Sequence, residues 1–510
     1  MAALFWIFAL TLFAIAMKCA DELWRKPKTM NSKLRRRGIY GPSQQFHQGK
    51  DEAHVAGNQV QKPNTVKMVH DIVPLVDHAL MNLASTYGKT VAIWKGGVPH
   101  VIVMDPTTIR EILSNVEAFH KPEVHWSMKY FICGLANING KKWAAHRKIL
   151  NPAFHIDKLK LSMPAFTVCC ENLVGRWENL IGDKDSYELD VLPEFLDMTG
   201  DVIARAAFGS NLEESRAIFQ LQLEQSKLFL KLLCSSNLPW SRFLPSRLKK
   251  QMTQTRDRVS ALIGSIIDKQ EKNMAFGDAE SNNLLSLLLK SNLHRQRRGE
   301  GNTPEKWLTR EEIIEECKLF YFAGHETTAN LLAWTMITLS MHQDWQEKVR
   351  EEILHAFGRE EKPAFEQLNR LKLVNMVLLE VLRLYPPTSI CRWTTHDVKV
   401  EGLALPAGVA VQMPLYMVHR DKEIWGENAM EFDPGRFENA GAKATKDMLA
   451  FGWGPRTCIG QNFALIEAKL ALTLLLQRFR FHLSPTYNHS PAVRITLQPK
   501  HGAQIVLHRL

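Results

Sequence analysis

The chain reads as mainly α with minor β, preceded by a single N-terminal membrane-anchor helix. Three observations carry that expectation. Apolar residues recur with helical period over long stretches, at about Tyr187–Lys272, Thr309–Leu339, Arg370–Tyr385 and Gln461–Phe479. Alternating pieces are short and scattered. From residue 65 onward the apolar pattern does not divide into two cores, which argues for one large domain over 65–510.

Taken in order, Ala2–Met17 is apolar except for Thr11. A helix of that length spans roughly 24 Å, short of a bilayer core of about 30 Å, and reaches closer if it runs through Ala20 with Lys18 snorkelling. Ala14-Ile15-Ala16 resembles a signal-peptide cleavage site, but no positive charge precedes the apolar run. The charges follow it (Lys18, Arg25, Lys26, Lys28, Lys33 and Arg35–Arg37), which favours an uncleaved single-pass anchor over residues 1–20 with the bulk of the chain cytosolic. Residues 21–64 then read as a basic, proline-containing linker leading into the main domain.

Val91–Asp105 suggests two short strands about a turn, and Trp143–Leu150 a helix ended by Asn151-Pro152. Asn273–Leu308 is polar, with an arginine run at 295–298, and reads as a mobile surface connection. Thr309-Arg310-Glu311-Glu312 is a capping box opening the long helix to Leu339. That helix is interrupted at Ala323-Gly324-His325-Glu326-Thr327-Thr328, where a bulge would open a polar notch. Pro386-Pro387 stops the next helix, and strand-like pieces follow at Asp397–Val400, Ala410–Met413, near Ile495 and at Ile505–His508.

The net charge is +11. With no zinc-finger spacing and no RNA-binding aromatic pattern, that charge points to an anionic membrane surface or an acidic protein partner, and away from nucleic acid. The eight cysteines show no CxxC and no regular framework, as suits a reducing compartment.

Chemistry concentrates at Cys458, in Phe451-Gly452-Trp453-Gly454-Pro455-Arg456-Thr457-Cys458-Ile459-Gly460. Glycines permit close backbone approach, and a neighbouring arginine with backbone N–H groups favours thiolate over thiol. A thiolate offered from such a loop is one of the few ways a protein holds haem iron. Glu380 and Arg383 place an acid and a base one turn apart, as a surface ion pair or a buried one. Trp143 and Arg147 share a helix face, and both donate hydrogen bonds without accepting them.

These motifs, in this order, resemble those of the cytochrome P450 family: Phe-x-x-Gly-x-Arg-x-Cys-x-Gly at 451–460, Gly-x-Glu-Thr-Thr at 324–328, Glu-x-x-Arg at 380–383 and Trp-x-x-x-Arg at 143–147. The likeness is to the plant microsomal branch, near the group that oxidises terpenoids and terpenoid-derived hormones. It implies the P450 fold, a haem b (iron protoporphyrin IX) cofactor and Cys458 as axial ligand. It also implies that Phe451, Arg456, Trp143 and Arg147 bind the cofactor, with Arg392 near where another propionate ligand sits. Glu326 and Thr327 would supply protons to O2, and Arg436 would complete a structural triad with Glu380 and Arg383. The segment from Phe437 to Phe451 is shorter than the family's usual one, with Met448-Leu449-Ala450 where Phe-Phe-Pro is common.

The implied activity is monooxygenation of a lipophilic small molecule by O2. Electrons would come from an NADPH–cytochrome reductase at the endoplasmic reticulum membrane, because no flavin or dinucleotide motif is present. Val124–Leu135, the helix around Phe320 and Ala323, and Thr388–Ile390 would meet the substrate. Alternatives are a fatty-acid hydroxylase of the same fold, a haem-thiolate isomerase or dehydratase, and a non-enzymatic haem-binding protein; the intact Glu326-Thr327 pair weighs against the isomerase.

Overall fold

The computed structural model describes residues 25–42, 70–95, 98–122, 128–235, 246–275, 283–297, 308–438 and 446–510, with isolated positions before residue 25. The expected anchor therefore lies mostly outside the described residues. Among the described ones no helix is long and apolar enough to cross a membrane. Phe5, Trp6, Ile7, Leu10, Phe13 and Met17 are exposed.

Thirteen longer helices carry the described chain: α1 (Lys26–Arg36), α2 (Val73–Tyr87), α3 (Pro106–Ser114), α4 (Gly140–Leu150), α5 (Ile156–Ile181), α6 (Val191–Phe208), α7 (Leu212–Ser235), α8 (Arg247–Ala275), α9 (Leu284–Arg297), α10 (Arg310–Met341), α11 (Gln343–Phe357), α12 (Lys372–Leu384) and α13 (Gln461–Arg478). Strands β1 (Thr90–Lys95), β2 (Val98–Val103), β3 (Phe119–His120), β5 (Ile390–Thr394) and β8 (Ala410–Met413) form one sheet in the order β1-β2-β8-β5-β3, while β4 (Tyr187–Asp190) lies apart from it. Two hairpins, β6–β7 (Val398–Val400, Leu403–Leu405) and β10–β11 (Pro491–Val493, Leu497–Pro499), and a sheet β4-β12-β9 with β9 (Phe479–Leu483) and β12 (Gln504–Arg509) complete the β component.

α10 is the axis of the molecule. The Thr309 hydroxyl accepts from Glu312 N–H, and the Glu312 side chain accepts from Thr309 N–H, closing the expected capping box. From Thr328 to Ser340 every α10 residue is buried, so protein surrounds this half of the helix on all sides.

Four expectations need correction. The helix is not interrupted at residues 323–328; it runs unbroken from Arg310 to Met341. Tyr187 begins a strand, not a helix, and its Leu189 pairs with Ile505. The stretch taken as a surface connection holds α9, whose Leu284, Leu285, Leu288 and Leu289 are buried. Its polar residues obscured that apolar face. The core is also two adjoining clusters. The larger surrounds α10, the smaller fills the space between the sheet and α1 to α3, and Met417 packs against both. Within the expected linker, α1 buries Leu34 in the smaller cluster.

Candidate active site

The loop before α13 turns back on itself. The Phe451 carbonyl accepts from Cys458 N–H at 2.8 Å and from the Thr457 hydroxyl at 3.3 Å. A Cβ on Gly454 (φ +71°) would stand 2.9 Å from Leu113 O and 3.1 Å from Ser114 Cα. The end of α3 therefore demands this glycine, in addition to any ligand. The Cys458 side chain is exposed, yet protein surrounds it so closely that burial pushes its thiol pKa up. The sulfur is therefore reachable, in a recess crowded by protein. The Gly460 N–H and the charge of Arg147 pull the other way. Arg456, the expected thiolate partner, instead donates to Ile138 O and Asn139 Oδ1, both at 2.9 Å. The cation acting on the sulfur is thus Arg147, whose Nη1 donates to Thr457 O at 2.9 Å.

Ala323 of α10 is exposed although it follows the buried Leu319–Phe322 run. Its methyl group is thus open to space in mid-helix. One turn on, the Thr327 hydroxyl donates to Ala323 O at 2.8 Å. A Cβ on Gly324 would lie 2.8 Å from Ile203 Cδ1, so Gly324 admits α6 rather than bending the helix. Along this stretch side chains reach the backbone carbonyls of the unbroken helix: Thr327 to Ala323, Thr199 to His325 at 2.9 Å and Asn330 to Glu326 at 2.9 Å. The Glu326 carboxylate accepts from the Thr496 hydroxyl. Burial raises its pKa, and that bond and Arg494 oppose the rise.

Arg147, Arg392 and Arg456 come together with Lys121, which the sequence reading did not single out. Burial and the charges of Arg392 and Arg456 push the Lys121 pKa down to about 7. Burial lowers Arg392 and Arg456 to about 10. Arg392 is 3% exposed and donates only to Cys391 O, at 2.9 Å. Arg456 stacks over Trp143 at 4.3 Å, and its buried Nε has no partner. Among the described residues no carboxylate pairs with any of the four.

The second charged cluster is self-contained. Glu380 and Arg383 are fully buried and joined by two 2.7 Å bonds, and Arg436 Nε reaches Glu380 Oε1 at 3.0 Å. Arg383 also donates to the carbonyls of His419, Ala429 and Glu431.

A family model described as Cytochrome P450 matches residues 66–505. The chain belongs to the cytochrome P450 family. It is 46% identical to "Cytochrome P450 CYP72A616" of Paris polyphylla, covering 98% of this chain and 97% of that one. It is 44% identical to "Cytochrome P450 CYP72A219" of Panax ginseng (96% and 95% covered) and 42% identical to "11-oxo-beta-amyrin 30-oxidase" of Glycyrrhiza uralensis (96% and 94%). The protein is a monooxygenase whose cofactor is haem b.

The residues present fit that cofactor. Buried cations without carboxylates, one with an orphaned Nε, want anions, and haem b brings two propionates. Cys458 and Ala323 are both exposed, one in the loop before α13 and one in the middle of α10. A thiol held protonated by burial is deprotonated by coordination to a metal.

Of the residues expected at the substrate, 124–127 lie outside the described set, and Phe320 packs on Phe154 at 5.3 Å. Ile390 Cδ1 stands 4.0 Å from where a Gly452 Cβ would sit, beside the cysteine loop. The sequence carried no local signal for Lys121 or Thr496. Each acquires meaning only from residues that are 335 and 170 positions away, Arg456 and Glu326.

Proposed function

We propose that this P450 hydroxylates a terpenoid, with Cys458 as the residue that would hold the haem iron through its thiolate and electrons from an NADPH–cytochrome reductase. The observation that carries the reading is an exposed cysteine whose charged form Arg147 favours, beside a group of cations that no carboxylate among the described residues balances. Haem iron, when bound, activates O2 so that one atom enters a C–H bond and the other leaves as water. The chain's own residues do the rest. Arg147, Arg392, Arg456 and Lys121 hold the propionates, and the Trp143 ring supports Arg456. Arg147 and the Gly460 N–H favour the charged sulfur. Phe451 closes the loop that presents it. Glu326 takes up protons and Thr327 passes them on. The Glu380, Arg383 and Arg436 triad stiffens the fold without touching the reaction. Apolar neighbours such as Ile390 and the likeness to an 11-oxo-β-amyrin oxidase support a lipophilic terpenoid skeleton. The basic surface charge and residues 1–20 support a cytosolic domain anchored to the endoplasmic reticulum membrane and docked by an acidic reductase face.

The test is a panel of triterpenoids, terpenoid-derived hormones and fatty acids fed to membranes that co-express the reductase. NADPH-dependent O2 uptake with a hydroxylated terpenoid supports the proposal. Oxidation of fatty acids alone overturns the substrate class, and product without O2 uptake overturns the reaction. Thr327→Ala should divert electrons to peroxide, and tight coupling in that variant removes Thr327 from the relay. Truncation of residues 1–20 should move part of the enzyme into the soluble fraction.

A further inference from the structure

We infer that the β10–β11 hairpin is a latch for Glu326: Thr496 is a positioning residue that holds its carboxylate on the hairpin side of α10 until it is protonated. The inference rests on the reading that Glu326 carries protons.

The geometry is a stripe of contacts. Glu326, Asn330 and Trp334 fall at i, i+4 and i+8 on α10, and all three engage the hairpin or its partner residues. The Thr496 hydroxyl, 5% exposed, donates to Glu326 Oε1 and accepts from Asn330 Nδ2 at 3.2 Å. The same Asn330 Nδ2 donates to the Glu326 carbonyl at 2.9 Å. Trp334 Nε1 donates to Leu497 O at 3.2 Å, and Leu497 N–H to Pro387 O at 2.8 Å. Ala323 and Thr327 form the adjacent stripe, about 100° around the helix. A proton held at Glu326 reaches Thr327 only if the carboxyl turns from one stripe to the other.

The hydrogen-bond roles make that turn depend on protonation. The Thr496 hydroxyl has one proton, and it points at Glu326 because Asn330 occupies its acceptor side. That donor, with the charge of Arg494 at the hairpin tip, favours the carboxylate. Once a solvent proton binds, the charge-assisted bond becomes an ordinary one, and the carboxyl is free to turn with its proton. The other groups around the site do not compete. His325 on α10 and His489 before β10 are kept neutral by burial, with pKa values lowered to about 4. Glu467 of α13, beside Thr328, is held protonated by burial. α6 contributes Thr199 and Ile203, neither of which titrates. Tyr385, just past α12, has its hydroxyl kept neutral by burial.

The experiment uses the haem-loaded enzyme and the variants Thr496→Val, Thr496→Ser, Arg494→Gln and Glu326→Gln. Infrared difference spectra against pH follow the carboxylic C=O band that Glu326→Gln abolishes. Loss of a donor or of a positive charge weakens the charged form, so Thr496→Val and Arg494→Gln should move the midpoint of that band to higher pH. Thr496→Ser should keep it. Peroxide released per NADPH, measured against pH on the terpenoid that turns over in the panel, should shift in the same direction in Thr496→Val and return in Thr496→Ser. An unmoved band in Thr496→Val, or an equal shift in Thr496→Ser, overturns the latch. If Glu326→Gln leaves peroxide release unchanged, it is the proton-carrier reading of Glu326 that fails, and the band midpoint still decides whether the hairpin holds the side chain.

Discussion

Two clusters of charge lie inside one protein and differ in their counter-charges. In Glu380–Arg383–Arg436 the carboxylate is bonded to both guanidinium groups at 2.7–3.0 Å. In Lys121–Arg147–Arg392–Arg456 four cations share a low-dielectric region without a carboxylate among the described residues, and their pKa values fall accordingly. Burying charge is costly unless it is paired. The first cluster is complete as it stands and belongs to the fold. The second is complete only with anions from outside the chain, and so belongs to a ligand. The completeness of its partners, more than its burial, separates a structural charge from a functional one.

Breaking the self-contained cluster should have the largest effect. Glu380→Ala leaves Arg383 and Arg436 buried and unpaired, at a cost of about 3–5 kcal/mol, enough to consume much of the stability of a typical domain. The expected outcome is little or no folded haem protein, measured by the Soret absorbance of the purified chain. A well-folded, haem-loaded Glu380→Ala would erase the distinction drawn above. Next, Cys458→Ala should leave the fold intact and abolish the red-shifted carbon monoxide band of the reduced protein. An unchanged band would remove Cys458 from the iron.

The ligand-seeking cluster should respond in the opposite sense to the triad. Arg392→Met removes a cation that nothing in the empty protein neutralises. The haem-free chain should therefore resist urea as well as or better than the parent, while haem is lost roughly 10- to 100-fold faster, as expected for one charge-assisted bond of about 1.5–3 kcal/mol. Transfer of haem to apomyoglobin measures the rate, and lower stability of the haem-free variant would count against the comparison.

The smallest effect is one of pH. Burial and the charges of Arg392 and Arg456 lower the Lys121 pKa from an ordinary 10.5 to about 7, so without haem the folded protein loses that charge as pH rises through 7. Two propionates would restore its charge. Loading then takes up a proton, and haem affinity falls as pH rises from about 7 towards 10.5, by up to about tenfold per pH unit. Lys121→Met should flatten that dependence, and a dependence that survives in the variant would remove Lys121 from the cluster.

Legibility followed the range of the interactions. The capping box at Thr309, the strand Ala410–Met413, the stop of α12 before Pro386 and the helix from Gln461 were all readable, because caps, proline and periodicity act within a few residues. Cys458 and its glycines were readable for the same reason. β4 was missed because Tyr187–Asp190 is a strand only by pairing with Gln504–Leu507, more than 300 residues on. β5 escaped notice because Arg392 sits inside it and breaks the apolar pattern. Gly324 suggested a bend, and the structure spends it on Ile203 of another helix.

The sequence by itself determined the helical class, the order of the motifs and the cysteine set among glycines before α13, since each is encoded in residues adjacent along the chain. Only the tertiary structure decided which cation acts on that sulfur, which charges are balanced, that Lys121 belongs with Arg456 and that Glu326 turns towards Thr496. Charge compensation and hydrogen-bond partnership are properties of neighbours in space, and folding alone chooses those neighbours.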